Sequence, residues 1–405
     1  MTKYSKLISI VALCLIILFG FSIYQAQAQS GAPEIELVTE EGDSAELDLL
    51  HTVANIYDYA SYNRSTSYEF KNGEFENIDN QSVIQRMDYT FSSAINRYIE
   101  DYRSFMRGKT RVTDHFTETD DYLLYTAMQS DVNWRQYEDN TLSISVLDKE
   151  TGEEQAHETL LTGGSYHTVI AAYVDYPSIT IVTQAADENL DTDWLIYSVD
   201  LTDPEEELTP VINLGLSVES DNIQFSSSQT KTERFIPFRS LLAGKTDEYG
   251  QVMDHTASAY YVYDTQTQAV KEIPSFEEGQ TVVLSEAETI LVGNDLGEEI
   301  QWNEWTFDDE SLTELGTTEM ATPTIGRIQV DYYNRTFNQG LHLVDHHIYA
   351  YEDDYSEDRS RPLFQVIDID SMSTTFSGYF ALKETPEGSQ VELSIYEYSL
   401  DHLQQ

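Results

Sequence analysis

Cysteine is almost missing. The chain of 405 residues has one, Cys14, inside an apolar run near its start. Beyond it there is no thiol, so the body of the protein has no disulfide, no thiolate nucleophile and no cysteine-bound metal. Basic residues are scarce too: lysine and arginine total 22 against 72 aspartates and glutamates, a formal charge of −50. That charge argues against nucleic acid as a partner, because the phosphates would be repelled, and against docking on an anionic lipid surface. Only nine of the 22 basic residues are lysine. An acid-rich, lysine-poor surface suits a salty or alkaline medium, the alternative being ordinary acidic drift in an exported protein. There are only nine prolines and no low-complexity linker, so nothing divides the body into two domains. Disorder, the usual companion of high net charge, needs a chain poor in aromatics. The 28 tyrosines, 16 phenylalanines and 4 tryptophans exclude it.

Lys3 and Lys6 precede an uncharged, mostly apolar run over 7–24, the pattern of an export signal. Ala26-Gln27-Ala28 offers a cleavage site after it. The run also has the length of a short membrane span, so residues 1–28 read either as a cleaved signal peptide or as an N-terminal membrane anchor. In both cases the remainder lies outside the cytoplasm, and the membrane is met only through this segment. Residues 29–34 read as a linker and 35–405 as one extracytoplasmic domain.

That domain reads as almost entirely β. Residues 260–263, aromatic and β-branched, suit a pleated, half-buried surface. Asp264 ends that run, its carboxylate able to accept from a backbone N–H two residues on and close a turn. A second extended run follows over 269–273 and stops at Pro274, which cannot donate to a sheet ladder. The same design, an apolar strand meeting Asp with Thr, Ser or Asp three residues later, recurs at Asp148, Asp200, Asp308 and Asp370, in steps of 52, 64, 44 and 62 residues. Repeats of roughly 40 to 50 residues with several strands each are propeller blades, and the longer steps leave room for inserted loops. Further strands are expected over 122–127, 168–173, 179–182, 281–284, 289–292 and 341–351. Acidic loops are expected over 187–193, 203–207 and 352–358. Asn72-Gly73 marks a tight hairpin. Phe91, Ile95, Tyr98, Ile99, Tyr102, Phe105 and Met106 share one helical face, with Ser92 or Ser93 placed to cap the start and Gly108 the end.

The expected fold is therefore mainly β: an irregular β-propeller of about six to eight blades with one short helix, and residues 35–38 placed to close the ring against the C-terminal strand. Tandem β-sandwiches are the competing architecture. The strand-Asp-x-x-Thr turns resemble those of bacterial β-propeller repeats. The signal segment, the Glu41-Gly42-Asp43 turn and the run from Tyr102 to Lys109 resemble a group of exported or membrane-anchored proteins of Gram-positive, Bacillus-type bacteria. The resemblance implies an extracytoplasmic location and a propeller architecture, and transfers no active site.

Chemistry is thinly signalled. There is no Gly-x-Ser-x-Gly elbow, and the closeness of Ser165 and His167 in sequence does not make a triad. With 72 acids, paired carboxylates for glycoside hydrolysis cannot be picked out by spacing. His342, Asp345, His346 and His347 form the densest histidine group; a single strand would put His342 and His346 on one face and Asp345 and His347 on the other. Asp187, Asp191 and Asp193 supply hard oxygen ligands in one loop and are the candidate calcium site, without the spacing of an EF-hand. Arg97, Arg103, Arg107, Lys109 and Arg111 concentrate positive charge on and after the helix, to pair with surrounding carboxylates or to hold an anionic partner. The function expected from these features is a non-enzymatic binding, sensory or envelope-associated protein whose partner is a protein or carbohydrate of the cell envelope. The competing class is a secreted carbohydrate-active hydrolase or lyase.

Overall fold

The computed structural model describes residues 33–400 apart from stretches between elements, of which 79–92, 130–139, 244–254 and 320–335 are the longest. Residues 1–32 lie outside them, and the export or anchor segment with them. Among the described residues no helix is long and apolar enough to cross a membrane.

The chain opens with β1 (Ile35–Gly42). Six sheets then follow in chain order. Sheet I holds β2 (Leu50–Asp58), β3 (Arg64–Lys71) and β4 (Glu74–Asn77). Helix α1 (Ser93–Asp101) leads to sheet II, made of β5 (Phe116–Glu118), β6 (Tyr122–Met128), β7 (Thr141–Asp148) and β8 (Glu154–Leu161). Sheet III holds β9 (Tyr166–Asp175), β10 (Ser178–Ala186) and β11 (Thr192–Asp200). From there β12 (Glu207–Leu208) runs back to pair parallel with β8, and β13 (Ile212–Asn213) returns to β11. A single turn, α2 (Leu214–Ser217), precedes sheet IV: β14 (Asn222–Ser226), β15 (Phe235–Ala243), β16 (His255–Asp264) and β17 (Ala269–Ile273). Sheet V holds β18 (Gln280–Glu286), β19 (Thr289–Asp295), β20 (Glu299–Thr306) and β21 (Ser311–Glu319). The short β22 (Thr336–Phe337) pairs parallel with β14 of sheet IV. Sheet VI holds β23 (Leu341–Val344), β24 (His347–Ser356), β25 (Arg359–Asp368) and β26 (Ser373–Leu382), and β27 (Val391–Leu400) ends the described chain.

Each sheet packs on the next. Side chains alternate across a strand, so a strand buried on both faces serves two neighbours. In β18, Val282 and Leu284 join the cluster shared with sheet VI, while Val283 joins the one shared with sheet IV. In β10, Ile179 and Ile181 face sheet II and Val182 faces sheet IV. Trp302, wholly buried, lies across from Gly293, where an added Cβ would fall 2.9 Å from its ring. Phe70, Phe75, Phe364 and Phe380 join sheets I and VI, with centroids 4.6–4.9 Å apart. Five interfaces are sheet on sheet. The sixth, between sheets I and II, is filled by α1, whose Ile95 and Tyr98 pack on Phe116, Leu123 and Tyr125 of sheet II while the helix touches β2 and β27. The interfaces close a ring, which is the arrangement of a β-propeller.

The termini close it twice. The C-terminal β27 pairs antiparallel with β2 from Leu50↔Leu400 to Asp58↔Val391 and becomes the edge strand of sheet I. The N-terminal β1 pairs with β26, from Ile35↔Leu382 to Gly42↔Phe376. The ring is thus closed by strand exchange at both ends, with 35–38 on the penultimate strand rather than the last. Gly42 has φ +83°, and a Cβ there would fall 1.8 Å from the Thr375 carbonyl oxygen, so the docking of β1 requires glycine.

The aspartate-led bends have a common build. After Asp148, Asp264 and Asp368 a four-residue loop returns the chain, and the fourth residue (Gly152, Gln268, Met372) has positive φ. Thr151 N–H donates to Asp148 at 2.8 Å, and Ser371 N–H and hydroxyl donate to Asp368 at 2.8 and 2.5 Å. In sheet VI the strand therefore ends at Asp368, and Asp370 lies inside the loop. In sheet V the matching strand end is Thr306, with positive φ at Glu310, so Asp308 is a loop residue. Asp200 accepts from Thr202 N–H at 2.8 Å but has no hairpin after it, since the chain leaves for sheet II.

Other expectations change. The strand over 341–351 is a hairpin: Asp345 and His346, with φ 48° and 61°, form a two-residue turn held by Glu286, which accepts from Asp345 N–H at 2.7 Å. Residues 352–356 are strand, paired in β24–β25, rather than loop. The helix stops at Asp101 and the chain continues in turns to Gly108, whose φ is +79°.

His342, buried in β23, has its pKa lowered to about 4 by burial. Neutral in the fold, it takes a proton near pH 6.5 once unfolded. Stability should therefore fall as pH drops from about 6.5 to about 4, by roughly 3 kcal/mol in all. Urea midpoints across that range should show a slope that His342→Leu reduces, the buried His167 supplying part of the remainder.

Candidate functional site

Asp187 and Asp191 lie outside the described residues, and Asp193 sits in β11 opposite Ala185. The histidine group is split by the 345–346 turn: His342 is buried, His346 is in the turn, and His347 begins the return strand 3.9 Å from Asp368. Among the described residues no three His, Cys, Asp or Glu side chains are placed to hold a metal ion. His167 is buried within sheet III, where burial lowers its pKa, 3.4 Å from the Thr183 hydroxyl; Ser165 is outside the described residues.

The basic cluster is resolved into pairs and one cleft. Arg97 bonds to Glu118, which also takes Lys149 at 2.9 Å. Past the helix, the turn at Gly108 swings Lys109 back over the Phe105 ring, its Nζ 3.8 Å from the centroid. There it donates to the Phe105 carbonyl at 2.7 Å and to Glu154 at 2.8 Å. Thr110 follows and bonds the Tyr125 hydroxyl at 3.1 Å. The segment 107–110 thus braces against β6. Beside it opens a cleft of about 610 Å³ lined by Arg107, Lys109, Tyr125, Gln129, Ser143, Ser145 and Glu158. The register explains the lining. Tyr125 lies opposite Ser145, and Ser143 lies opposite both Ala127 and Glu158, so these side chains share one face of sheet II. His157 also borders the cleft but belongs by alternation to the other face, with Ile144.

No protein-family model matches the sequence, and no curated protein matches it. Solved structures do align with the fold. TolB from Acinetobacter baumannii is 11% identical with a TM-score of 0.33; the alignment covers 85% of this chain and 66% of TolB, a little under two thirds of its length. The β-propeller domain of the Trilobed protease from Pyrococcus furiosus is 12% identical, over 70% of this chain and 81% of that one, with a TM-score of 0.33. The acylaminoacyl peptidase of Pyrococcus horikoshii is 13% identical, over 62% and 37%, with a TM-score of 0.34. Identities and scores this low transfer no site and no activity.

Sequence reasoning found the cationic side of the cleft, Arg107 and Lys109, through charge density. It missed Ser143, Ser145 and Glu158. The sequence alternates apolar residues with serine from Leu142 to Ser145, but nothing in that pattern tells which face meets residues 107–110, because that depends on where the helix packs.

Proposed function

We propose that the protein is a six-bladed propeller acting outside the cytoplasm as a non-enzymatic binding module of the cell envelope. The cleft on sheet II takes an anionic group of its partner. One observation carries this reading: in a chain of formal charge −50, this cleft sets Arg107 and Lys109 beside hydroxyls from Tyr125, Ser143 and Ser145. Guanidinium and ammonium groups with hydroxyl donors are what a carboxylate or phosphate needs. At physiological salt the field of the remote acids is screened beyond about 8 Å, so the groups inside the cleft decide what enters. The hydrolase reading requires two carboxyl groups about 5 to 9 Å apart across a sugar. Glu158 is the one acid lining this cleft among the described residues.

Calorimetric titration with citrate, a compact tricarboxylate, tests the site. Citrate should bind, and Arg107→Ala should weaken it about tenfold, the loss of one charge-assisted hydrogen bond. Heat that is absent, or unchanged in the variant, removes the anion site. Fractionation of cells tests the location separately, since recovery in the cytosol would exclude export.

A further inference from the structure

A second cleft, of about 390 Å³, lies where the face of sheet III turned toward sheet IV meets the bend after Asp264. Two rows run across sheet III on that face. One is Tyr173, Thr180 and Ser198; the other, two residues along each strand, is Asp175, Ser178 and Asp200. Below them the interface is apolar, through Val182, Trp194 and Ile196 against Phe225 and Tyr263. Opposite the rows stand Thr265, Gln266 and Gln268. The bend that carries them is held rigidly. Asp264, wholly buried, takes both Arg234 Nε and Nη2, at 3.0 and 2.9 Å, with the Gln266 N–H at 3.0 Å and the Thr267 hydroxyl at 2.9 Å. The bend is fixed through that backbone N–H and that hydroxyl, which leaves the Gln266 and Gln268 amides outside its own network.

We infer that this second cleft is a binding site for an uncharged saccharide unit. The lining contains hydroxyls, two primary amides, one carboxylate and one tyrosine ring, and among the described residues no cation. Amides and hydroxyls both donate and accept, as a polyol requires. A carboxylate accepts from two neighbouring hydroxyls at once. An aromatic ring covers the apolar face of a sugar, and the volume lies in the range of small-ligand clefts. The other ligand classes fit worse. Asp175, with no cation opposite it in the lining, repels an anion, and an apolar ligand would strip water from seven hydroxyl or amide groups without replacing their hydrogen bonds. Asp200 does not add a second free carboxylate, since it is taken by the Thr202 N–H and hydroxyl at 2.8 and 2.6 Å. The groups are presented by a paired sheet and a clamped bend, so little ordering is needed on binding.

The test is saturation-transfer NMR with maltose, cellobiose and N,N′-diacetylchitobiose, each at about 10 mM, a concentration that detects millimolar affinity. At least one sugar should receive saturation. Asp175→Asn and Gln266→Ala should each weaken it at least tenfold while leaving the melting temperature unchanged, and Arg107→Ala in the first cleft should leave it intact. The site is overturned if none of the three sugars responds, or if both variants bind as the parent does. It is also overturned if glucuronate outcompetes the neutral sugars, or if the cleft responds to calcium and not to sugar.

Discussion

A chain ending at residue 390 is expected to lose its cooperative unfolding transition. That truncation removes β27, which supplies the edge of sheet I along nine paired positions from Leu50 to Asp58. Roughly nine backbone hydrogen bonds go with it, at about 0.5–1.5 kcal/mol each in net terms. The loss is on the order of 5–10 kcal/mol, comparable with the whole stability of an ordinary domain, about 5–15 kcal/mol. Leu393 also leaves the cluster between sheets I and VI, and α1 loses one of the strands it touches. Near-ultraviolet circular dichroism should show no fixed aromatic signal in the truncated chain. A peptide of residues 391–405 added in trans should restore part of it, as a missing strand pairs with an open sheet edge. A truncated chain that melts with the parent's sharpness and temperature would show that the ring is held without its last strand.

The second large effect is expected at Asp264. Its carboxylate accepts from Arg234 twice, from Gln266 N–H and from the Thr267 hydroxyl, while its side chain is fully buried. Asp264→Ala takes both carboxylate acceptors from the Arg234 guanidinium, whose side chain is 22% exposed and lies 4.8 Å over the Phe235 ring. Removing one partner of a buried pair costs about 3–5 kcal/mol; the partial exposure of Arg234 puts the loss at the low end, about 3 kcal/mol, and guanidinium denaturation should report it. Asp264→Asn keeps two acceptor bonds and should cost less. The charge has a pH signature as well. Burial pushes the Asp264 pKa up, but the Arg234 bonds and the donors of the bend outweigh it and leave the group below the usual carboxylate range. Its contribution is therefore complete above the unfolded value near 3.9 and lost as pH falls through the lower folded value. Asp264→Asn should flatten that acid limb of the stability curve. An unchanged limb would mean that Arg234 holds nothing in place.

These bends were also the most legible part of the fold, because a strand, an aspartate and a Thr or Ser three residues later is local chemistry. Where two aspartates stand close, local chemistry is ambiguous. Asp368 and Asp370 are two apart and would share a face of a continuing strand, and only the pairing of Asp368 with Ser373 decides between them. In sheet V a threonine, Thr306, takes the strand-end place, and the aspartates nearby misled. The 345–346 hairpin lacked any glycine, asparagine or proline to announce it. The number of sheets was hidden by the unequal steps between bends, part of which is the detour of β12 to sheet II. Ring closure was legible only in outline: residues 35–38 were expected to close the ring, but β1 and β27 are ordinary alternating strands, and their partners, β26 and β2, lie more than 300 residues away. The clefts were legible only where charge is unusual, at Arg107 and Lys109. Hydroxyls and amides on strands carry no such label, and their convergence is a property of register.

Because β2 waits for a partner made of residues 391–400, the ring cannot lock before that strand has been synthesised. Five sheets can form as they emerge, but the first stays incomplete until residues 391–400 have been made. A chain broken off before residue 391 is thereby left with an unpaired sheet edge at β2.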